Sequence, residues 1–93
     1  MDKTEDDYET ERILNKTRLG LLEQCDILRM LLESPNREKH ELDIIKFKAS
    51  INASLREIEY NMKIWQEMND NFAVNFIKET IELIKKEKEK WKD

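Results

Sequence analysis

The apolar positions of this chain recur at helical spacing along almost its whole length. In the first part, Leu14, Leu21 and Leu28 lie seven residues apart, the interval at which one helical face repeats in a coiled-coil seam. Other apolar side chains flank this seam and widen the apolar face, so we expect packing against more than one neighbour. The pattern predicts a first helix over about residues 4–33, with Thr4 as a candidate cap.

A second helix is predicted after Pro35, because proline disfavours helical geometry at the preceding residue and suits the first turn of a new helix. We expect it over about residues 35–69, with a strict a/d seam that the polar side chains of Lys48 and Asn69 interrupt. The seam supplies the candidate interface or core residues. These are Ile44, Ile51, Leu55, Ile58, Met62 and Trp65.

Three short polar residues, Asn69-Asp70-Asn71, then interrupt the pattern. Such side chains compete with helical backbone bonds and cap helices well. Beyond them the apolar stripe changes phase, which predicts a third helix over about residues 72–91. A continuous second helix with a stutter is the competing interpretation. The sequence therefore predicts an all-α fold of coiled-coil character. It is either a three-helix up-down-up bundle or a long antiparallel helical hairpin.

Composition agrees with a single helical domain over residues 1–93. One glycine and one proline, with 41% charged residues, are too few turn residues for many short strands. The charge is uneven, because residues 1–11 carry six acids and one lysine, giving −5. We expect a frayed acidic arm over about residues 1–7. No basic face is large enough to predict nucleic-acid binding.

Residues that carry common site chemistry are scarce. His40 is the only histidine and Cys25 the only cysteine, so an ordinary zinc site is not expected within one chain. Gly20 stands alone in a predicted helix, where no loop cradles phosphate. Carboxylates are common by composition alone. We expect no enzymatic activity, and no catalytic, cofactor-binding or metal-binding residues.

The sequence also indicates where the protein acts and what it contacts. No apolar run approaches the roughly 18 residues of a membrane span, and the first residues are acidic where a signal peptide is basic. We therefore expect a cytoplasmic or nuclear protein without membrane insertion, and a buried Cys25. Trp91, in a lysine-rich end, is the candidate exposed contact, since tryptophan is enriched at interface hot spots.

Two short segments, Leu31–Asn36 and Leu55–Tyr60, resemble parts of the N-terminal three-helix domain of the late-Golgi syntaxins. The likeness covers only part of the chain and requires gaps between the two segments. This sequence departs from that family in its shorter connection before the third helix, and we expect no SNARE segment or membrane anchor to follow that helix within these residues. The resemblance implies a regulatory three-helix domain.

The leading functional prediction is a non-enzymatic interaction or assembly module whose partner is another protein chain. The partner is either a second copy, giving a homo-oligomer, or a different helical chain. The second-helix seam is then the interface, although the same residues equally suit an internal core. The alternative is a small acidic inhibitor or regulator that binds and blocks a larger protein through its acidic arm.

Overall fold

The computed structural model describes residues 5 to 91, except for the side chain of Asp6, and shows three α-helices packed together. They are α1 (Glu5–Glu33), α2 (Glu41–Glu67) and α3 (Asn71–Glu89). Over this range no residue forms a strand, so the predicted all-α class is confirmed. The predicted cap at Thr4 lies outside the described residues, and residues 5–7, expected in a frayed arm, belong to α1.

Contacts between the helices give their directions. Arg18 of α1 bonds to Thr80 in the first half of α3, and Cys25, two turns further along α1, lies close enough to Glu87 to feel its charge. α1 and α3 therefore run in the same direction. The connections on either side of α2 are short, so α2 returns between them and contacts both.

The connection from α1 to α2 differs from the prediction. Pro35 occupies the second position of a tight turn in which the Ser34 carbonyl accepts from Arg37 N–H at 3.2 Å, a position that proline favours. The Ser34 hydroxyl accepts from Asn36 N–H at 3.2 Å, so it serves the turn and caps no helix. A four-residue 3₁₀-helix follows, and α2 begins only at Glu41.

The connection from α2 to α3 confirms the predicted break between two helices. Asn69 takes the left-handed conformation, with φ 59°. Its N–H bonds to the Gln66 carbonyl at 3.1 Å, and the Asp70 N–H bonds to the Trp65 carbonyl at 3.0 Å, which is the Schellman arrangement that ends helices. The Asp70 side chain then accepts from Ala73 N–H at 3.1 Å and caps α3.

The core lies along the common axis of the three helices, with every helix contributing to it. Leu28 of α1, Ile51 of α2 and Ile84 of α3 are fully buried, and so is Cys25, as predicted. Full burial of a large aliphatic side chain stabilises a fold by about 1.5 to 3 kcal/mol. These side chains fix the positions of the three helices relative to one another.

Candidate functional site

The predicted seam of α2 is internal. Its first four residues expose no more than 7% of their surface, and the last two are partly buried against the same core. The sequence left open whether the seam is an interface with another chain or an internal core, and its burial favours the core. A surface that a partner can reach lies elsewhere. The seam residues are Ile44, Ile51, Leu55, Ile58, Met62 and Trp65.

Trp91 corrects a prediction, because it is 8% exposed and belongs to the buried cluster. α3 ends at Glu89, and a turn held by the bond from Trp91 N–H to the Lys88 carbonyl, 3.1 Å, follows it. Trp91 lies fourteen residues after Ile77, on the same apolar face of the α3 segment. The apolar repeat of α3 therefore predicts that Trp91 is buried. Its position near the end of the chain led to the wrong prediction of exposure.

An apolar groove, here called the α1–α2 groove, runs between the first half of α1 and the second half of α2. Its larger part has a volume of about 380 Å³ and reaches α3 at its floor. A second part of about 240 Å³ continues it along α1 and α2 and shares Thr17, Ile58 and Asn61. The larger part is lined by Ile13, Leu14, Thr17, Arg18, Ile58, Asn61, Ile64, Trp65, Met68, Phe76, Ile77 and Thr80.

Arg18 fixes one wall of this groove to its floor. Its Nε donates to the Thr80 hydroxyl at 2.8 Å and its Nη2 to the Phe76 carbonyl at 2.9 Å. The guanidinium carbon lies 3.6 Å from the centre of the Phe76 ring, within the range of cation–π attraction. Thr80 donates in turn to the Phe76 carbonyl at 2.9 Å. These contacts tie α1 to α3, so the floor of the groove is preformed.

The rim of the groove is apolar and open. Ile13 on α1, Ile64 on α2 and Met68, which directly follows α2, are all exposed although they line it. Polar groups are few in the larger part, and Asn61 and Thr17 lie where the two parts of the groove meet. The second part is more polar, with Lys16, Gln24 and Glu57 in its lining. A concave apolar surface with a few polar groups is typical of a binding site.

Gly20 lies in the second part of the groove, in the interior of α1. A Cβ placed on this glycine would meet nothing within 4 Å. Glycine in a helix interior is less stable than alanine by about 0.8 to 1 kcal/mol. Packing within the chain therefore gives no reason for a glycine here, and the backbone of α1 is bare at this point.

A row of exposed side chains, here called the α2 outer stripe, adjoins the groove. Its members are Leu42, Ile45, Ala49, Ala53, Tyr60 and Ile64. The intervals of three, four and seven residues place them on one face of the helix, within an arc of about 100°. The four large side chains are 42 to 73% exposed. Ile64 belongs to both features and joins the groove to the stripe, and the two together are here called the α1–α2 face. The exposed charged side chains of Lys46, Arg56 and Lys63 lie within the same arc of α2.

Burial makes the Cys25 thiol a weaker acid. Desolvation, with smaller contributions from the Glu87 and Asp26 carboxylates, raises the pKa of the Cys25 thiol to about 11 against the opposing charge of Arg29. A buried thiol with a raised pKa is a poor nucleophile. Across residues 5 to 91, no group of three or more His, Cys, Asp or Glu side chains is arranged to hold a metal ion.

Comparison with protein-family models, curated proteins and solved structures finds no match to this chain. The resemblance to the syntaxin N-terminal domain therefore stays a sequence prediction. Within the described part of the chain, no helix has the length and apolar character needed to cross a membrane.

Sequence reasoning missed both parts of this surface for different reasons. The α2 outer stripe is visible in the sequence as a second helical repeat beside the stronger seam. The anchoring of Arg18 is not visible, because its acceptors Phe76 and Thr80 are 58 and 62 residues away. Only the packing of α1 against α3 brings those groups together.

Proposed function

We propose that this chain is a protein-binding module that has no catalytic role and receives an amphipathic helix of another protein chain on its α1–α2 face. The observation that carries the proposal is the continuity of that face. The preformed apolar part of the groove meets the α2 outer stripe at Ile64, which lines the groove and is also exposed on the stripe. Amphipathic helices bind other proteins by laying their apolar side chains into such grooves.

The shape of the face suits a helix better than a small ligand. The groove is shared by two long helices, and the stripe spans 23 residues of α2, or about 33 Å from its first residue to its last. A helix lying along α1 and α2 would cover the exposed side chains of Ile13, Ile64 and Met68 together. It would also complete a four-helix arrangement around the α1–α2 pair, in keeping with helix-on-helix architecture.

Gly20 supports the same proposal. Its missing side chain leaves open space beside the backbone of α1, and small residues let two helices approach closely. A partner helix seated against Gly20 accounts for a residue that packing within the chain does not require. An alanine at this position would then obstruct the partner while it stabilises α1.

The proposal is tested by site-specific photocrosslinking in the cells that make the protein. A photoreactive phenylalanine analogue replaces Tyr60, on the α1–α2 face, or Leu83, an exposed apolar residue of α3. We expect a covalent adduct of defined mass from position 60 and none from position 83. An adduct of twice 11.3 kDa identifies a second copy, and any other mass identifies a different chain.

Gly20→Ala provides a control that separates folding from binding. We expect this variant to unfold at a higher urea concentration, because alanine is the better helix former by about 0.8 to 1 kcal/mol, and yet to form less of the position-60 adduct. Equal adducts from positions 60 and 83, or none from 60, would contradict the proposal. Irradiation of the lysed cells at low and at high salt tests the acidic regulator. Loss of the adduct at high salt would favour it, since apolar contacts persist where charge attraction is screened.

A further inference from the structure

We propose that the helix seated on the α2 outer stripe is α2 of a second copy of this chain, running antiparallel about a two-fold axis that passes beside Ala53. This proposal rests on the proposed function and names its partner. In a two-fold interface the same surface of each copy faces the other copy. The stripe must therefore fit against a second stripe that runs in the opposite direction.

The spacing of the stripe meets that requirement. Leu42 and Ile64 lie eleven residues before and after Ala53. In an antiparallel pair centred on Ala53, Leu42 of each copy therefore faces Ile64 of the other, and Ile45 lies within one residue of the level of Tyr60. Ala53 meets its own counterpart at the centre, where small side chains allow the two helices to approach closely.

The charges beside the stripe agree with the antiparallel direction. Lys46 and Glu57 are eleven residues apart, about three helical turns, and so lie on the same flank of α2. A two-fold axis places the same flanks of both helices side by side. Measured along the helix axis, Lys46 then lies about 4.5 Å from Glu57 of the other copy. The symmetry repeats this contact, so two pairs of opposite charges form.

The exposed area indicates a modest interface. The four large side chains of the stripe, 42 to 73% exposed, present on the order of 400 Å² per copy, or about 800 Å² for the pair. Alanines and flanking side chains bring the total toward the lower end of stable interfaces, about 1,200 Å². The assembly is therefore expected to depend on protein concentration and to persist in high salt.

Light scattering and cysteine crosslinking of the full chain test this geometry. We expect a mass that rises from 11.3 kDa toward twice that value with concentration. Ala53→Cys should form a disulfide-linked dimer in a glutathione buffer, because helix axes 8 to 10 Å apart bring these Cα atoms within disulfide reach. The wild type contains only the buried Cys25 and serves as the control.

Two further variants distinguish the antiparallel pair from other dimers. Leu42→Cys should not link to itself, since the two copies of position 42 lie about 33 Å apart, but it should link to Ile64→Cys when the two are mixed. We expect Ala53→Cys to link at least tenfold faster than Leu83→Cys, an exposed position on α3. Circular dichroism confirms that each variant is folded.

The outcomes separate this proposal from the proposed function. A monomer at every concentration overturns the second copy as partner, while a position-60 adduct with another chain would keep the proposed function. A dimer in which Leu42→Cys links to itself is parallel and overturns the antiparallel pair alone. A dimer that none of the stripe cysteines links overturns the antiparallel pair, and it contradicts the proposed function as well if Gly20→Ala leaves that dimer unchanged.

Discussion

At the scale of single residues, Asn69 decides where α2 ends. Its φ of 59° is a conformation that side chains other than asparagine, aspartate and glycine rarely adopt. We expect Asn69→Ala to lower the free energy of unfolding by about 1 to 2 kcal/mol. Asn69→Gly should leave it unchanged or raise it, because glycine has no Cβ to clash. Urea unfolding followed by circular dichroism measures both variants, and equal stability of the alanine and glycine variants would argue against this turn.

Some residue roles could be predicted from the sequence and others could not. Cys25 lies among apolar neighbours and is buried as expected. Trp91 follows the apolar repeat of α3, yet we predicted exposure because it lies near the chain end. Arg18 lies four residues after Leu14, on the same side of α1, and its sequence context gives no sign of its bonds to Thr80 and the Phe76 carbonyl. Local periodicity predicts burial, whereas the partners of a polar side chain depend on contacts across the fold.

At the scale of elements, the start of α3 offers a sharp test with proline. Asn71 is the first residue of α3, where the backbone N–H has no partner within the helix and proline is well tolerated. Asp70, with φ −89° and ψ 87°, already lies outside the helical conformation that proline disfavours at the residue before it. We therefore expect Asn71→Pro to change the free energy of unfolding by less than about 1 kcal/mol.

Asn75→Pro is the matched control, since Asn75 is also an exposed asparagine but lies one turn inside α3. Proline there removes a helical hydrogen bond and clashes with the preceding turn, at a cost of about 3 kcal/mol or more. Urea unfolding compares the two variants. If both lose stability equally, α3 does not begin at Asn71 and the helix continues through the connection.

The two connections also show why one boundary was predicted better than the other. Asn69-Asp70-Asn71 allows a helix end followed at once by a cap, and the predicted start of α3 at about residue 72 is one residue from the observed start. Pro35 suits both the first turn of a helix and the second position of a tight turn. The sequence does not distinguish these uses, so the start of α2 was placed six residues too early.

At the scale of the whole molecule, the seam of α2 predicted which residues meet in the core but not which chain covers them. Ile51 and Ile58 are buried by α1 and α3 of the same chain, although the same heptad pattern suits contacts between chains. The same chain covers the seam because the helix breaks at Asn69, and the separate α3 then folds back over α2. The α1–α2 groove is lined by residues of all three helices, so it forms only when α3 packs in this way.

The burial of Cys25 at the centre of the fold predicts how stability of the whole molecule depends on pH. Its pKa is raised from 9.0 to about 11. Between these values the unfolded thiol loses its proton while the folded one keeps it, so the free energy of unfolding falls as the pH rises. The loss reaches about 1 to 3 kcal/mol near pH 11, since each pKa unit corresponds to about 1.4 kcal/mol.

The variant Cys25→Ala isolates the contribution of the thiol, because every other side chain is the same in both proteins. Urea unfolding of each protein at pH 7.5, 9, 10 and 11 gives two curves of stability against pH. The alanine variant starts lower, because a small cavity replaces the sulfur, and we expect its deficit to shrink above pH 9 as the wild type loses its thiol contribution. A constant difference up to pH 11 would mean that the thiol reaches water in the folded state, in conflict with a core closed around Leu28, Ile51 and Ile84.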